Sequence, residues 1–497
     1  MSKKITSVVV FSKEEFAEDV VIGLEVHCQL TNLRTKLFCG CSSEYRGEQP
    51  NTHLCPICLG MPGSLPVANR KSVDDAMMVA LALKSEIAER SLFFRKNYYY
   101  PDMPKNFQIT QYDQAGGIPI ASGGEVSIQV NHENKQIRIR RIQLEEDPAK
   151  LVHLGSIDTS PYTLVDYNRA GIALLEIITE PDLKSSKEAR VFLQKLRSIL
   201  EHLGVSDGKL EGAMRCDANI SIKKGNRVEI KNISSFKEVE KALNFEIARQ
   251  RAMNSRGLKV EMETRHWDDV KRVTISLRTK EAEHDYRYFP EPDLVPVEIS
   301  KEKIAKISQI IPELPDARLD RFVKLYKIPS YDAGVLTSDK AMADFFEECI
   351  KLYPDAKTIS NWMMTDLLRW LHEKDIEIKE AKVTPQHLVE MIKLIDDGTI
   401  SGKIAKSVLP EILNTGKTPS EIVTEKGLLR IASRKDIELL ADRVLIENPK
   451  AVQDAAVDEK AIHYLIGQLM KLTKGKADPQ LANQIIKEKL KKQSKSN

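Results

Sequence analysis

Between Val20 and Leu30 the chain reads V-V-I-G-L-E-V-H-C-Q-L, and that alternation dictates a strand. Val21, Gly23, Glu25, His27 and Gln29 share one face, while Ile22, Leu24, Val26, Cys28 and Leu30 make the other wholly apolar. Successive side chains leave a strand on opposite sides, so burying the aliphatic row turns a carboxylate and an imidazole out of the sheet in the same direction. That pair is half of a divalent-metal site. The competing reading is a half-exposed strand whose polar row meets water, and the rest of the chain decides between them.

At 497 residues the chain is too long for one core, so roughly two to four domains are expected. With 42% hydrophobic and 30% charged residues it has the composition of an ordinary soluble protein. No run of about 18 uncharged apolar residues offers a membrane span. The start, M-S-K-K-I-T-S-V-V-V-F-S-K-E-E-F, lacks a small-residue cleavage pattern and meets Lys13, Glu14 and Glu15 at once, so no signal peptide is expected. A reducing, cytoplasmic setting follows, in which the seven cysteines are thiols rather than structural disulfides. Net charge is only +3, yet from Gly467 to Asn497 eight lysines oppose only Asp478 and Glu488. Such a tail suits contact with a phosphate backbone, or is simply a solvated helical end.

Residues 20 to about 295 read as strand-rich. Ile137–Leu144, Met214–Lys223 and Val228–Lys231 are strand candidates, with Lys224-Gly225-Asn226 as a hairpin turn. Lys71–Leu83, Lys187–Leu203 and Phe236–Met253 carry apolar residues at helical spacing. The stretch Phe289–Pro296 holds three prolines in eight residues and promises neither helix nor strand, so a domain boundary is placed just beyond it. Afterwards Lys301–Ile311, Arg318–Tyr326, Lys340–Leu352, Ile359–Lys374 and Pro385–Asp396 all read as helices, and Thr384-Pro385 is a helix start. The expectation is an α+β body over 1–297, an all-α domain over 298–425 and an all-α tail over 426–497.

Cys39-Gly40-Cys41, then Cys55-Pro56-Ile57-Cys58, supplies four thiolates in two turn-borne pairs, the donor set of tetrahedral structural zinc. A redox pair at Cys55 and Cys58 is the rival, but it has no need of Cys39 and Cys41. His53 in place of one thiolate keeps a three-sulfur, one-nitrogen site open. Cys28, Cys216 and Cys349 read as small buried hydrophobes.

Carboxylates recur at strand ends: Glu145, Glu146 and Asp147 follow Leu144, and Glu176 stands between Leu174-Leu175 and Ile177-Ile178. An acid in so apolar a setting needs a metal, a cation or donors, a structural salt bridge being the plainer alternative. Glu25, His27, Glu146 and Glu176 together make an oxygen-rich shell with one imidazole, suited to Mg²⁺ or Mn²⁺, ions that serve phosphoryl transfer. The Arg95–Lys105 loop and Asp285–Phe289 gather cations and tyrosines suited to phosphate or a base, or to a tied-down surface loop. Arg215, Asp217, Asn219, Glu229 and Lys231 fill the polar face of the hairpin, as a functional surface or a cross-strand ladder. There is no G-x-x-x-x-G-K-[ST], so any use of ATP proceeds without a P-loop. Nor is there an amidase-like Gly-Ser-rich segment or a spare nucleophilic cysteine for glutamine hydrolysis, so ammonia, if used, comes from elsewhere.

Taken together, V-I-G-L-E-V-H at 21–27, R-K-N-Y-Y-Y-P-D-M-P-K at 95–105, L-E-E-D-P-A-K at 144–150, V-D-Y-N-R-A-G at 165–171, L-L-E-I-I-T-E-P-D at 174–182, R-C-D-A-N-I-S at 215–221, E-I-K-N at 229–232 and D-Y-R-Y-F-P-E-P-D at 285–293 resemble the B-subunit family of the tRNA-dependent amidotransferases (GatCAB). D-G-T-I-S-G-K-I-A-K at 397–406 and G-Q-L-M-K-L-T-K-G-K-A-D-P at 467–479 resemble the family's YqeY-like end. The resemblance implies a cradle-shaped, kinase-like body followed by a helical domain and a tRNA-holding tail. It also implies ATP-dependent phosphorylation of the side-chain carboxylate of Glu-tRNA(Gln) or Asp-tRNA(Asn), and amidation by ammonia from a partner amidase (A) subunit, with a small C subunit completing the assembly. By motif it makes Glu25, His27, Glu146 and Glu176 the metal-binding residues of activation, and Lys96, Lys105, Asn168 and Arg169 candidates for phosphate contact or the ammonia path. Lys471, Lys474 and Lys476 would meet tRNA phosphates. The family's hairpin more often repeats Asn where this chain has Asn232-Ile-Ser-Ser-Phe236, and the four-cysteine cluster is not universal, which implies that zinc supports the fold and is dispensable to the chemistry. The rival classes are a zinc-bearing RNA-binding protein without catalysis and a metal-dependent phosphohydrolase acting on small phosphoesters.

Overall fold

The computed structural model describes residues 19–113, 116–154, 160–222, 225–233, 235–279, 286–429, 434–455, 459–473 and 476–493. Lys224 of the expected hairpin turn, Asp285 and Lys474 lie outside them. The chain forms two compact units, Met1–Pro315 and Asp316–Asn497. The first mixes sheets and helices and the elements of the second are helices, so the chain is α+β as expected.

Ten strands form the main sheet of the first unit. Its order runs Val273–Thr279, Glu263–Asp268, Val228–Ile233, Met214–Ile222, Val20–Gln29, Ala173–Thr179, Glu133–Glu146, Ala121–Ser122 and Glu86–Ile87, with Glu125–Val130 pairing alongside the first half of Glu133–Glu146. Val20–Gln29 is thus central, antiparallel to a neighbour on each side. Ile22, Leu24, Val26 and Cys28 are fully buried, as the alternation requires.

Three of the helices that share the apolar core with that row pack directly on strands. Phe236–Ser255 packs on Met214–Ile222, Ser186–Leu203 on Glu125–Val130, and Arg70–Ala82 on Glu133–Glu146. Ser185 caps the Ser186–Leu203 helix by accepting from the Glu188 N–H, and Gly204 ends it at φ +69°, a conformation without side-chain penalty only for glycine. Between those caps Phe192, Leu193, Leu196 and Leu200 are fully buried, so Leu196→Ala costs roughly 2–5 kcal/mol. With helices on the apolar side, the polar row of every central strand is left for the opposite face.

One expectation needs correction. The Pro-rich stretch is structured: Phe289–Pro290 pairs with Phe94–Asn97, and buried Glu291 takes a two-point ion pair from Arg95 at 2.6 and 2.8 Å. The first unit continues past it to Pro315 and includes the helix Lys301–Gln309, whose Ile307 joins the first core. The expected Ile359–Lys374 helix is formed, with a π-turn inside it. Ala356–Trp362 passes through a π-turn at Met363–Leu367 into Leu368–Lys374. There Thr365 Oγ1 bonds back to the Asn361 carbonyl at 2.7 Å, a competition with the backbone ladder that widens helices. The second unit has two separate cores, one around Phe322, Phe346, Met391 and Ile412, the other around Ile437, Leu465, Leu469 and Ile486. Among the described residues no helix is long and apolar enough to cross a membrane.

Candidate active site

The sheet register assembles the charged face. Glu25 stands opposite Asp217, His27 opposite Arg215 on one neighbouring strand and opposite Glu176 on the other, and Asn219 opposite Glu229. Directly paired residues project to the same side, so one surface collects acids from five strands.

His27, Glu145 and Glu176 form the first group, with ligand atoms within 4.8 Å of one another. His27 Nε2 is 3.5 Å from Glu145 Oε1 and 3.5 Å from Glu176 Oε1. Burial, aided by Arg215 and Lys231 and opposed by Asp217, holds the imidazole down to about pKa 4, so its ring is neutral and has a lone pair for a cation. Burial pushes Glu145 up against the pull of Lys96 and the Thr110 hydroxyl, which donates to it at 3.1 Å. It pushes Glu176 up further, with Glu145 and Glu25 adding repulsion. Gln143 donates to Glu176 and fixes its orientation. Two buried carboxylates repelling each other beside a neutral imidazole are a donor set that a divalent cation satisfies.

Glu146, expected in this set, is elsewhere. Glu133–Glu146 continues as a strand past Leu144, so Glu145 shares a face with Gln143 whereas Glu146 turns the other way. There it accepts from the Ile109 N–H at 2.9 Å and forms an ion pair with Lys105, whose ammonium reaches both oxygens. Both side chains are buried, so neither charge stands unpaired. Counting parity from Leu144 is the signal that finds Glu145.

Glu25, Asp217 and Glu229 form a second group within 4.8 Å, two of its members passed over as ligands in the sequence because their convergence depends on strand pairing. Asn219 Nδ2 donates to Glu25 at 2.8 Å, Thr264 Oγ1 to Glu229 at 2.8 Å, and Lys231 Nζ sits 2.9 Å from Asp217 and 3.6 Å from Glu229. Outer donors of this kind orient metal-binding carboxylates.

The remaining candidates separate. Lys96 lies over the rings of Tyr98 and Tyr286, 5.5 and 4.9 Å from their centroids, and its charge acts on both Glu145 and Glu176. Asn168 is fully buried, accepting from the His53 N–H at 2.8 Å and donating to the Gln49 carbonyl at 2.8 Å. Arg169 donates to the Pro148 and Ala149 carbonyls at 2.8 and 2.7 Å. These two brace a turn instead of facing the acids.

That turn leads to the cysteines. Cys39, Cys41, Cys55 and Cys58 bring their sulfurs within 4.8 Å of one another, close to the spacing of a tetrahedral ZnS₄ unit. The Cys39 thiol holds Cys58 down to about pKa 4, with burial opposing and the Cys55 N–H and Lys36 assisting. Lys36 is fully buried and donates to the His53 carbonyl at 2.9 Å, a cation beside sulfurs that become anionic on binding metal. The His53 ring faces Glu48 at 3.8 Å, so four sulfurs are the better donor set. Cys28, Cys216 and Cys349 are buried. The cysteine loop also packs against the Lys105–Glu146 pair: Gly60, at φ +65°, lies so close to Lys105 that a Cβ there would fall 2.5 Å from Lys105 Cγ.

Two family profiles match the chain: the GatB/GatE catalytic domain over residues 20–305 and the GatB domain over residues 344–490. The chain belongs to the GatB family. Among curated GatB relatives, the B subunit of the aspartyl/glutamyl-tRNA(Asn/Gln) amidotransferase of Sulfolobus acidocaldarius is 54% identical, over 95% of this chain and 99% of its own. Those of Thermotoga maritima and Carboxydothermus hydrogenoformans are 51% and 49% identical, each over 95% of this chain and 98% and 99% of theirs. Both acid groups and the four cysteines fall inside the GatB catalytic-domain match, and Lys471, exposed, and Lys476, half-buried, inside the second. Lys474 lies outside the described residues.

Proposed function

We propose that this chain is the B subunit of a tRNA-dependent amidotransferase, the part that activates the side-chain carboxylate of Glu-tRNA(Gln), Asp-tRNA(Asn) or both with ATP and converts it to an amide. The observation that carries this reading is the pair of acid groups built from Glu25 and His27, two residues apart on one strand face and therefore roughly 7 Å from each other. That spacing suits the phosphate chain of a nucleotide.

A carboxylate resists ammonia because its oxygens leave poorly. In the first step a substrate carboxylate oxygen attacks the γ-phosphorus, the bond to the β–γ bridging oxygen breaks, and ADP departs with the electron pair. In the second, ammonia attacks the acyl carbon, the carbon–oxygen bond breaks, the nitrogen loses a proton and inorganic phosphate leaves. Mg²⁺ or Mn²⁺, held by His27, Glu145 and Glu176 and by Glu25, Asp217 and Glu229, supplies charge neutralisation of the phosphate chain when bound. Gln143, Thr110 and Asn219 keep the carboxylates oriented. Lys105, neutralised by Glu146, suits a polar conduit for ammonia, whereas Lys96 over its tyrosines is a cation for phosphate. Ammonia comes from a partner amidase subunit assembled with a small C subunit in the cytoplasm. The body acts as a cradle, and Lys471, Lys474 and Lys476 of the tail meet tRNA phosphates, by shape rather than sequence. Zinc belongs to the four cysteines.

A tRNA-binding protein without catalysis leaves both acid groups unexplained. The test is ADP formation by the chain co-expressed with its amidase and small subunits, with each misacylated tRNA, with and without glutamine. Turnover coupled to amide formation supports the reading. Binding of both misacylated tRNAs without ATP turnover overturns it.

A further inference from the structure

The acid face holds two guanidiniums anchored outside both acid groups, Arg141 and Arg215, of which Arg215 is the more accessible. Arg215 stands opposite His27 in the sheet register and donates to Asp147 Oδ1 at 2.5 Å. Asp147 is itself fully buried and pinned: its N–H donates to the Ile172 carbonyl at 2.8 Å, its carbonyl accepts from Gly171 at 2.9 Å, and Gln29 Nε2 donates to its other oxygen at 2.6 Å. One end of Arg215 is therefore fixed, while about a third of its side chain, 34%, stays accessible. Its charge acts on both His27 and Glu145, so it stands beside the first acid group.

The other cations of this face are committed differently. Lys231 is bound to Asp217 and Glu229, so a divalent ion in the second group competes for its partners. Arg141 is engaged by Asp113 at 2.9 Å and Gln143 at 3.1 Å and lies over the Tyr112 ring. A guanidinium has five N–H donors in a planar fork matched to phosphate oxygens.

We propose that Arg215 is a catalytic residue that clamps the transferring phosphoryl group, with Asp147 as its positioning residue. This rests on the carboxylate-phosphorylation reading above. No bond to Arg215 forms: its remaining N–H groups stabilise the equatorial oxygens of the γ-phosphorus while the bond to ADP breaks and that to the substrate carboxylate forms.

The test uses the intact complex with its amidase and small subunits and follows misacylated-tRNA-dependent ADP formation. Arg215→Ala is expected to lower kcat by about 10²–10³-fold with a much smaller change in KM for ATP, and added guanidinium ion to restore part of it. Arg215→Lys, which keeps the charge but loses the fork, is expected to fall in between. Because Arg215→Ala takes from buried Asp147 the nearer of its two cations and leaves only Arg169 at 3.7 Å, the double variant Asp147→Asn/Arg215→Ala serves as the folding control. A double variant that melts with the wild type, has lost turnover and responds to guanidinium supports the clamp. Either single or double variant turning over within threefold of wild type overturns it, as does a loss that guanidinium leaves unchanged. Absence of ADP formation by the wild-type complex contradicts the activation reading itself, a different result.

Discussion

His27 Nε2 lies 3.5 Å from Glu145 Oε1, and that contact, made across two intervening strand pairings, decides which of two adjacent glutamates faces the chemistry. Glu145→Gln is expected to reduce misacylated-tRNA-dependent ADP formation by about 10²-fold or more while thermal stability is nearly kept. Glu146→Gln strands the buried Lys105 ammonium and costs roughly 3–5 kcal/mol, seen as a lowered melting temperature. Melting curves and Mn²⁺ titrations of both variants check this. Loss of Mn²⁺ binding in Glu146→Gln but not Glu145→Gln reverses the assignment.

Metal binding at the first group should release protons. Glu176 is raised well above its ordinary value by burial and by the neighbouring Glu145 and Glu25, so its neutral form is favoured and the group must ionise to bind a cation. His27, held down to about 4, has no proton to give up near neutral pH. Mn²⁺ affinity therefore falls as pH is lowered. Calorimetry in two buffers of different ionisation enthalpy reads the proton directly, and equal apparent enthalpies in both contradict the account.

The cysteine loop is joined through Gly60 to Lys105, whose partner Glu146 directly follows Glu145 of the first acid group. Gly60→Ala forces a Cβ to within 2.5 Å of Lys105 Cγ at a positive φ, a strain of about 1–3 kcal/mol. It is expected to lower turnover several-fold with zinc retained, whereas Cys58→Ser is expected to lose zinc as well. Metal analysis beside activity separates the two. Wild-type turnover in Gly60→Ala shows instead that the contact relaxes without consequence.

In the second unit, Glu347 is pulled against burial down to about pKa 2 by Arg321, Arg318 and the Tyr326 hydroxyl. The folded value lies below the unfolded 4.5, so the stabilisation is complete above pH 4.5 and is lost as pH falls toward 2. Glu347→Gln should speed amide exchange in Lys340–Leu352 about tenfold at pH 7, a loss of about 1–3 kcal/mol. The effect should shrink at pH 4. Equal effects at both pH values point to packing rather than charge.

How much of this was legible in the sequence depended on range. Val20–Gln29 and its two faces were written in strict alternation, and the cysteine pairs in local spacing. The second acid group was not, because Glu25, Asp217 and Glu229 converge only through pairing of strands far apart in the chain. Glu145 was legible only when counted from Leu144: the register between Glu133–Glu146 and Ala173–Thr179 shifts at Ile178/Thr179, so alternation read from Ile137 and Ile139 gives the wrong parity beyond it. The Pro-rich stretch misled because its order comes from Arg95 and Phe94, far upstream.

The central claim is that this face makes an acyl phosphate. The most direct measurement omits glutamine and ammonia and adds hydroxylamine to the complex with ATP, Mg²⁺ and misacylated tRNA. The account predicts ATP-dependent hydroxamate at the side-chain carboxylate, matched by ADP and abolished in Glu145→Gln. ADP formation without any hydroxamate, or hydroxamate formed equally without ATP, contradicts it.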